Sequence, residues 1–247
     1  MSIDELKKLK QKKYRNQLGY FIAEGEHLVL ELIAASKKNP LLQQSQLYVT
    51  EKFADFRSGF NTHSLSQRQM EQICDTKTPQ GIFALVPISA ITQLNSVEAK
   101  ARSLKAMYFY QIQDPGNLGT ILRSIAWFAR SSCLLSPESV DPFNPKVVRA
   151  SMGAIFHVPL ELDVPLPSLP DRYKRIAYLD MAGQAVTSPA FHQADCYVFG
   201  NEARGVPVSE LEALDATPFC IPGSGQIESL NLSSVLNICE YELSRSS

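Results

Sequence analysis

Residues 106–130 read AMYFYQIQDPGNLGTILRSIAWFAR, and the fold of the chain follows from this stretch. AMYFYQI is an apolar, aromatic run of the kind that forms a buried strand. Asp114 to Gly116 make a turn. Beyond it Leu118, Ile121, Leu122, Ile125 and Ala129 recur at i, i+3, i+4, i+7 and i+11, the spacing of an amphipathic helix, with Asn117 as a plausible N-cap. Working outward, CLLS is a short strand and NPKVVRASMGAIF a second helix. The four prolines between Pro159 and Pro170 force extended or loop structure. RIAYLDM, CYVFGN and TPFCIP read as strands, VPVSELEAL as a helix, and a last helix is expected from near Ser229, carrying Leu232, Val235, Leu236, Cys239 and Leu243. Strands alternating with helices predict an α/β domain with a parallel sheet over residues 104–247.

Upstream the pattern differs. Residues 3–15 form a short basic helix. FIAEGE is strand or turn, HLVLELIAAS is helical through Leu28, Leu32 and Ala35, and QLYVT and GIFALVP are strands. Residues 1–90 thus make a small α/β module, joined to the rest by a polar linker at 91–103. The net charge of −1 averages two unlike parts. Residues 1–100 carry 13 basic and 10 acidic side chains, and residues 101–247 carry 11 and 15. The basic excess concentrates in Lys7, Lys8, Lys10, Lys12, Lys13 and Arg15, a candidate phosphate-contacting element that is otherwise simply a solvated helix. No apolar run approaches the roughly 18 residues that span a bilayer. The N-terminus lacks the apolar core of a secretory signal. The five cysteines are odd in number and scattered, as in a reduced, cytoplasmic protein.

Much familiar chemistry is absent from the sequence. No dinucleotide or P-loop glycine fingerprint occurs, no HExxH, no His/Cys metal spacing and no nucleophile elbow. Neither a metal nor a nucleotide triphosphate is expected. Three glycine-bearing loops follow strands, where open parallel sheets place their ligands: QDPGNLGTILRS (111–124), VFGNEARGVP (198–207) and IPGSGQIESLNLSS (221–234). Any one of them alone is equally well turn chemistry.

Together, DPGNLGTILRSIAWF, FGNEARGVP and IPGSGQIESLNLSSVL resemble the three motifs of the SpoU/TrmH family of RNA ribose 2′-O-methyltransferases in the SPOUT class. RASMGAIFHVP (149–159) resembles a further family segment. KYRNQLGYFIAEGEHLVLELI resembles the family's substrate-binding domain, related to the ribosomal protein L30e fold. The resemblance implies a catalytic sheet closed by a trefoil knot, a homodimer through the C-terminal domain, and S-adenosylmethionine as cofactor. It assigns the catalytic positions to Asn117, Arg123, Glu202, Ser229 and Asn231. It places the cofactor near Gly200, Asn201, Gly205, Ile221 and Leu230. After SLN this chain has Ser234, Leu236 and Asn237 where the family continues with small and apolar residues; Asn237 at a dimer interface would need a hydrogen-bond partner.

The implied reaction moves a methyl group to a ribose 2′-hydroxyl without a metal, so alignment carries much of the barrier reduction, on the order of 7–11 kcal/mol. Arg123 lies about 140° around the helix from Leu118 and so leaves the apolar face. Its guanidinium stays protonated. The resemblance implies a general base at this position; the alternative expected of a charged guanidinium is to bind the phosphate beside the target ribose and favour the developing alkoxide. The RNA must present an accessible hydroxyl, as loops and bulges do. Ribosomal RNA is favoured over transfer RNA. The rival readings are a non-catalytic RNA-binding protein and an α/β enzyme acting on a small molecule.

Overall fold

A computed structural model describes residues 1–93 and 104–245. Its first part runs α1 (Ile3–Lys8), α2 (Lys12–Leu18), β1 (Tyr20–Glu24), α3 (Glu26–Ser36), β2 (Gln46–Val49), β3 (Asn61–Ser64), α4 (Gln67–Ile73), β4 (Ile82–Pro87) and α5 (Ile88–Thr92). The second runs β5 (Lys105–Phe109), α6 (Pro115–Phe128), β6 (Ser131–Leu135), α7 (Pro145–Ala150), β7 (Leu160–Glu161), β8 (Ile176–Ala185), α8 (Pro189–Gln193), β9 (Cys196–Phe199), α9 (Val208–Ala213), β10 (Thr217–Cys220) and α10 (Leu232–Ser244). The linker expected at 91–103 begins inside α5, and from 94 onward it lies outside the described residues.

Two sheets result. The first has the order β1-β4-β2-β3, with β4 antiparallel to both neighbours. The second has the order β10-β8-β9-β5-β6-β7, and every pairing in it is parallel. The alternation seen from residue 106 onward therefore does yield a parallel α/β sheet. Differences from the sequence reading have local causes. The basic helix expected over 3–15 is two helices with a break at residues 9–11. The helix over NPKVVRASMGAIF stops at Ala150, because Met152 (φ 50°) and Gly153 (φ 91°) turn the chain into left-handed backbone. β3 and α4 escaped notice: NTHS is polar throughout, so it offers no alternation, and α4 announces itself only by the Ser66–Gln69 capping box.

The two sheets share one core. Buried apolar side chains run without interruption from Phe21, Val29 and Ile82 through Phe143 and Val147 to Phe109, Ile121 and Phe199. The rings of Phe21 and Phe143 meet across this seam at 5.0 Å. Ion pairs flank the contact. Arg149 of α7 donates to Asp75 at 2.7 Å and lies 3.8 Å from Glu24. Arg15 is buried, 2% exposed; its Nε donates to Asp141 at 2.9 Å, its Nη2 donates to the same carboxylate, and its Nη1 donates to the Leu9 carbonyl at 2.7 Å. This corrects the sequence reading of Arg15 as an RNA-contacting residue. Its charge is consumed inside the protein by an acid 126 positions away.

α10 packs along α6, and it carries an unusual group. Glu240 is fully buried, and neither carboxylate oxygen has a hydrogen-bond partner among the described residues. Burial pushes the carboxyl from the usual value near 4.5 up to about 7, against the opposing influence of the Ser131 hydroxyl and the Arg130 charge.

Two stability outcomes are expected. Asp141→Ala leaves the Arg15 charge buried and uncompensated and should cost about 3–5 kcal/mol in urea unfolding, with Arg15→Met in the same chain recovering part of the loss. A cost under about 1 kcal/mol would show that the pair does not hold the seam. For Glu240, the folded chain keeps between pH 4.5 and about 7 a proton that the unfolded chain releases, so stability falls as pH rises through that window and levels off above it. From pH 5 to pH 8 the wild type should lose about 2–3 kcal/mol relative to Glu240→Gln, and parallel pH profiles would refute the assignment.

Candidate functional site: three loops at the strand ends

The carboxyl ends of β5, β9 and β10 deliver three loops to one end of the parallel sheet. Each loop is set by its own sequence. After β5, Asp114 adopts extended backbone, Pro115 takes the first helical position, and the Asp114 side chain accepts from Asn117 N–H at 2.7 Å. Asp114, not Asn117, is therefore the N-cap of α6. The Asn117 carboxamide is left free to bridge: its Nδ2 donates to Glu202 at 3.2 Å, and its Oδ1 accepts from Asn231 Nδ2 at 2.9 Å. Glu202 also accepts from the backbone N–H groups of Gln113 at 3.1 Å and Asp114 at 3.0 Å. One residue from each loop thus joins a single hydrogen-bonded chain, Glu202–Asn117–Asn231. Asn231 caps α10 by accepting from Ser233 N–H at 2.9 Å, so the last helix starts at Leu232 and not near Ser229.

Partial burial works against ionisation of Glu202. The N–H groups of Glu202 itself, Asp114 and Gln113, together with the Asn117 amide, outweigh it and hold the carboxyl below its usual range. The carboxylate also sits at the N-terminal end of α6, where the helix dipole favours negative charge.

The loop after β9 is closed on itself. Asn201 and Gly205 exchange two backbone hydrogen bonds of 2.9 Å. Asn201 is 6% exposed; its Oδ1 accepts from Ala203 and Arg204 N–H, and its Nδ2 donates to the Gln111 carbonyl at 2.7 Å. At Gly200 a Cβ would sit 2.3 Å from the Gly205 carbonyl carbon and 2.5 Å from Val206 N, so the loop closes only without a side chain there. Gln111 carries no distinguishing sequence signal, yet it is the hub of this end of the sheet. Held at φ 50°, it takes a hydrogen bond from Arg204 at 2.7 Å, gives one to Glu138 at 2.9 Å, and donates its backbone N–H to Ser136 at 2.7 Å. Only its place three residues before Asp114 hinted at this.

Beside the loops lies a cavity of about 250 Å³. Gly205, Ile221, Ser229 and Leu230 line it, with Leu179 and Met181 of β8 and Val206 opposite. Gly200 and Asn201, expected beside the cofactor, do not line it; they shape the loop that carries Gly205. Its walls are mostly aliphatic or thioether, Asp180 is the charged side chain lining it, and Met181 (67% exposed) and Leu230 (45% exposed) project at its mouth. Apolar walls, loop backbone and few polar groups suit a flat heterocycle with a polar tail, as S-adenosylmethionine has. No group of His, Cys, Asp and Glu suited to a metal occurs among the described residues.

The model of the SpoU rRNA methylase family matches residues 105–241, more than half of the chain and all three loops. The chain belongs to the SpoU rRNA methylase family. A model for an MRM3-like substrate-binding domain matches residues 1–84. The chain is 31% identical over 249 residues to the 23S rRNA (guanosine(2553)-2′-O)-methyltransferase RlmP of Bacillus subtilis, covering 98% of this chain and 95% of that one. A TrmH-family protein from Porphyromonas gingivalis superposes with a TM-score of 0.79 at 28% identity, over 99% of this chain and 97% of that one. The SpoU methyltransferase AviRb of Streptomyces viridochromogenes, solved with AdoMet, shares the fold, with a TM-score of 0.80 at 19% identity and 99% and 97% coverage.

Against this SpoU frame, two sequence-derived groups stand apart from the hydrogen-bonded chain. Arg123 is exposed on α6, about 9 Å along the helix axis from Asn117, with no hydrogen bond or ion pair to a described residue. Lys8, Lys10, Lys12 and Lys13 are exposed on α1, α2 and the turn between them, and Lys7 is half-buried beside Asp4 at 3.5 Å. Glu202→Gln keeps the size but sets an amide N–H₂ against backbone donors. It should lower the melting temperature by several degrees, and the gap to wild type should narrow as the pH is lowered and the Glu202 carboxyl takes up its proton. A melting curve superimposable on wild type at neutral pH would show that the carboxylate does not bind the loops together.

Proposed function

We propose that the chain methylates a ribose 2′-hydroxyl of ribosomal RNA using S-adenosylmethionine. The observation that carries this is the Glu202–Asn117–Asn231 chain joining three loops beside an apolar cavity, within a SpoU-family domain. The cofactor supplies a methyl group on a sulfonium, whose departure needs no acid. Gly205, Ile221, Ser229 and Leu230 would hold it from the cavity wall, with Gly200 and Asn201 keeping that wall in shape. Asn117 and Asn231, with amides already fixed by Glu202, orient the ribose. Ribosomal rather than transfer RNA is favoured because the likeness to RlmP spans the whole chain.

Arg123 anchors the phosphate next to the target ribose and stabilises the oxygen as its proton passes to water and the methyl group moves from sulfur to oxygen. Its separation from Asn117 within one chain supports an active site completed by a second copy. Trp127 (84% exposed) lies one turn beyond Arg123 on α6, and Tyr241 (60%) and Ile238 (37%) stand on the outward face of α10. This apolar surface on two packed helices supports a homodimer through the C-terminal domain. Asn237 lies exposed beside Ile238, where such an interface would have to supply its hydrogen bonds.

The domain division proposed is 1–90 for RNA selection, 91–103 as a linker and 104–247 for catalysis, with Lys7, Lys8, Lys10, Lys12 and Lys13 as salt-sensitive phosphate contacts. A trefoil knot within the second domain is proposed on the chain's membership of the SpoU family. A cytoplasmic site of action is supported by five free thiols. No helix among the described residues is long and apolar enough to cross a membrane.

Arg123→Ala should reduce methyl transfer to ribosomal RNA by about 10²–10³-fold or more, while calorimetry shows S-adenosylmethionine affinity within about twofold of wild type. Transfer by the variant at near wild-type rate would remove Arg123 from the mechanism.

A further inference from the structure

A second cavity, of about 290 Å³, opens on the seam between the two sheets. Its apolar surfaces are Leu28 of α3 and Met152 just beyond α7, and its polar edge includes His27, Thr78 and Arg149. Other wall groups are already committed: the Thr76 hydroxyl donates to Glu24, and the Gln80 carboxamide oxygen accepts from Glu26 N–H at 2.9 Å. His27 and Thr78 make no hydrogen bond to a described residue. Arg149 spends Nη2 on Asp75 at 2.7 Å, while its Nη1 is buried without a hydrogen-bond partner among the described residues.

The position of this cavity is fixed by close packing. Ala150, the last residue of α7, presses on α6 at Gly119, where a Cβ would come within 2.3 Å of the Ala150 Cβ. Arg123 lies one turn further along the same side of α6. Met152, two residues past Ala150, is held at φ 50° with its side chain 48% exposed. Exposed Lys10 and Lys77 flank the seam: Lys10 lines the adjoining small hollow with Asp75 and Arg149, and Lys77 stands between Thr76 and Thr78.

We infer that this seam cavity receives a nucleobase splayed out of the RNA. The base lies against Met152 and Leu28, His27 and Thr78 read its edge, and Lys77 and Lys10 meet the adjoining phosphates. A nucleobase needs such a combination, apolar faces with hydrogen-bonding groups in the plane between them, and single-stranded RNA is recognised by extruding bases into sites of this kind. A base seated here touches both domains at once. The inference rests on the proposed RNA methylation and adds the place where sequence is read.

The test uses ribosomal RNA purified from cells lacking the protein, with full-length wild type, Thr78→Trp, which fills the cavity, and Met152→Ala, which removes one face and, being at an exposed side chain, leaves folding intact. Each variant should raise KM for that RNA about tenfold, the worth of one stacked base, with S-adenosylmethionine affinity within about twofold of wild type. Ultraviolet crosslinking followed by peptide mapping should place RNA on the segments containing His27 and Met152 in the wild type and lose those crosslinks in Thr78→Trp. Methyl transfer whose KM ignores both variants, with crosslinks confined elsewhere, overturns the cavity and leaves the proposed reaction standing. RNA crosslinked through the cavity by a wild type that transfers no methyl group supports the cavity and overturns the reaction.

Discussion

Three loops that leave different strands must meet at one point, and each brings backbone N–H groups or amides that lose water when they do. The Glu202 carboxylate resolves this by accepting from Gln113 and Asp114 N–H and from the Asn117 amide at once. A neutral acceptor in its place would leave the N-terminal end of α6 with less compensation for its aligned dipoles. The same contact orients Asn117, which in turn holds Asn231. The polar end of the catalytic domain therefore has its geometry before any ligand arrives, which is the condition for catalysis by alignment.

Steric exclusion does comparable work where no polar group is involved. Gly119 lets α7 approach α6 until Ala150 touches its backbone, and Gly200 lets the β9 loop fold onto Val206. Neither glycine is needed for an unusual φ: Gly119 sits within α6, and Gly200 is absent from the residues with left-handed backbone. Their role is the absence of a side chain, which ordinary turn logic does not anticipate. Close backbone approach of this sort seats α7 on α6 and makes the β9 loop compact enough to border the apolar cavity.

Much of this was legible in the sequence because it rests on short-range periodicity. The 3, 4, 7, 11 spacing after Leu118 marks α6, and the apolar runs mark β5, β8 and β9. The three loops declared themselves by glycine and asparagine following a strand. What escaped depends on distant partners or on competition between neighbours. Asp114 and Asn117 are both capable caps three residues apart, and Pro115 at the first helical position decides for Asp114. Asn231 sets the start of α10 because its side chain reaches Ser233 N–H. Arg15, set among lysines, carries no local sign that Asp141 will bury it. The shared core was equally hidden: a polar stretch near residue 94 suggests separable domains, whereas Phe21 and Phe143 show them fused.

That fusion has a consequence for selectivity. A substrate domain on a free tether samples many orientations, so it raises local concentration without dictating which nucleotide is modified. Here a continuous core, two buried or half-buried arginine contacts and a ring pair fix the spacing between the N-terminal surface and the catalytic loops. On the proposed reaction, an RNA feature held at one end would help to set, by distance, the ribose presented at the other. Changing the target would then require altering that distance, and not only the residues at either end.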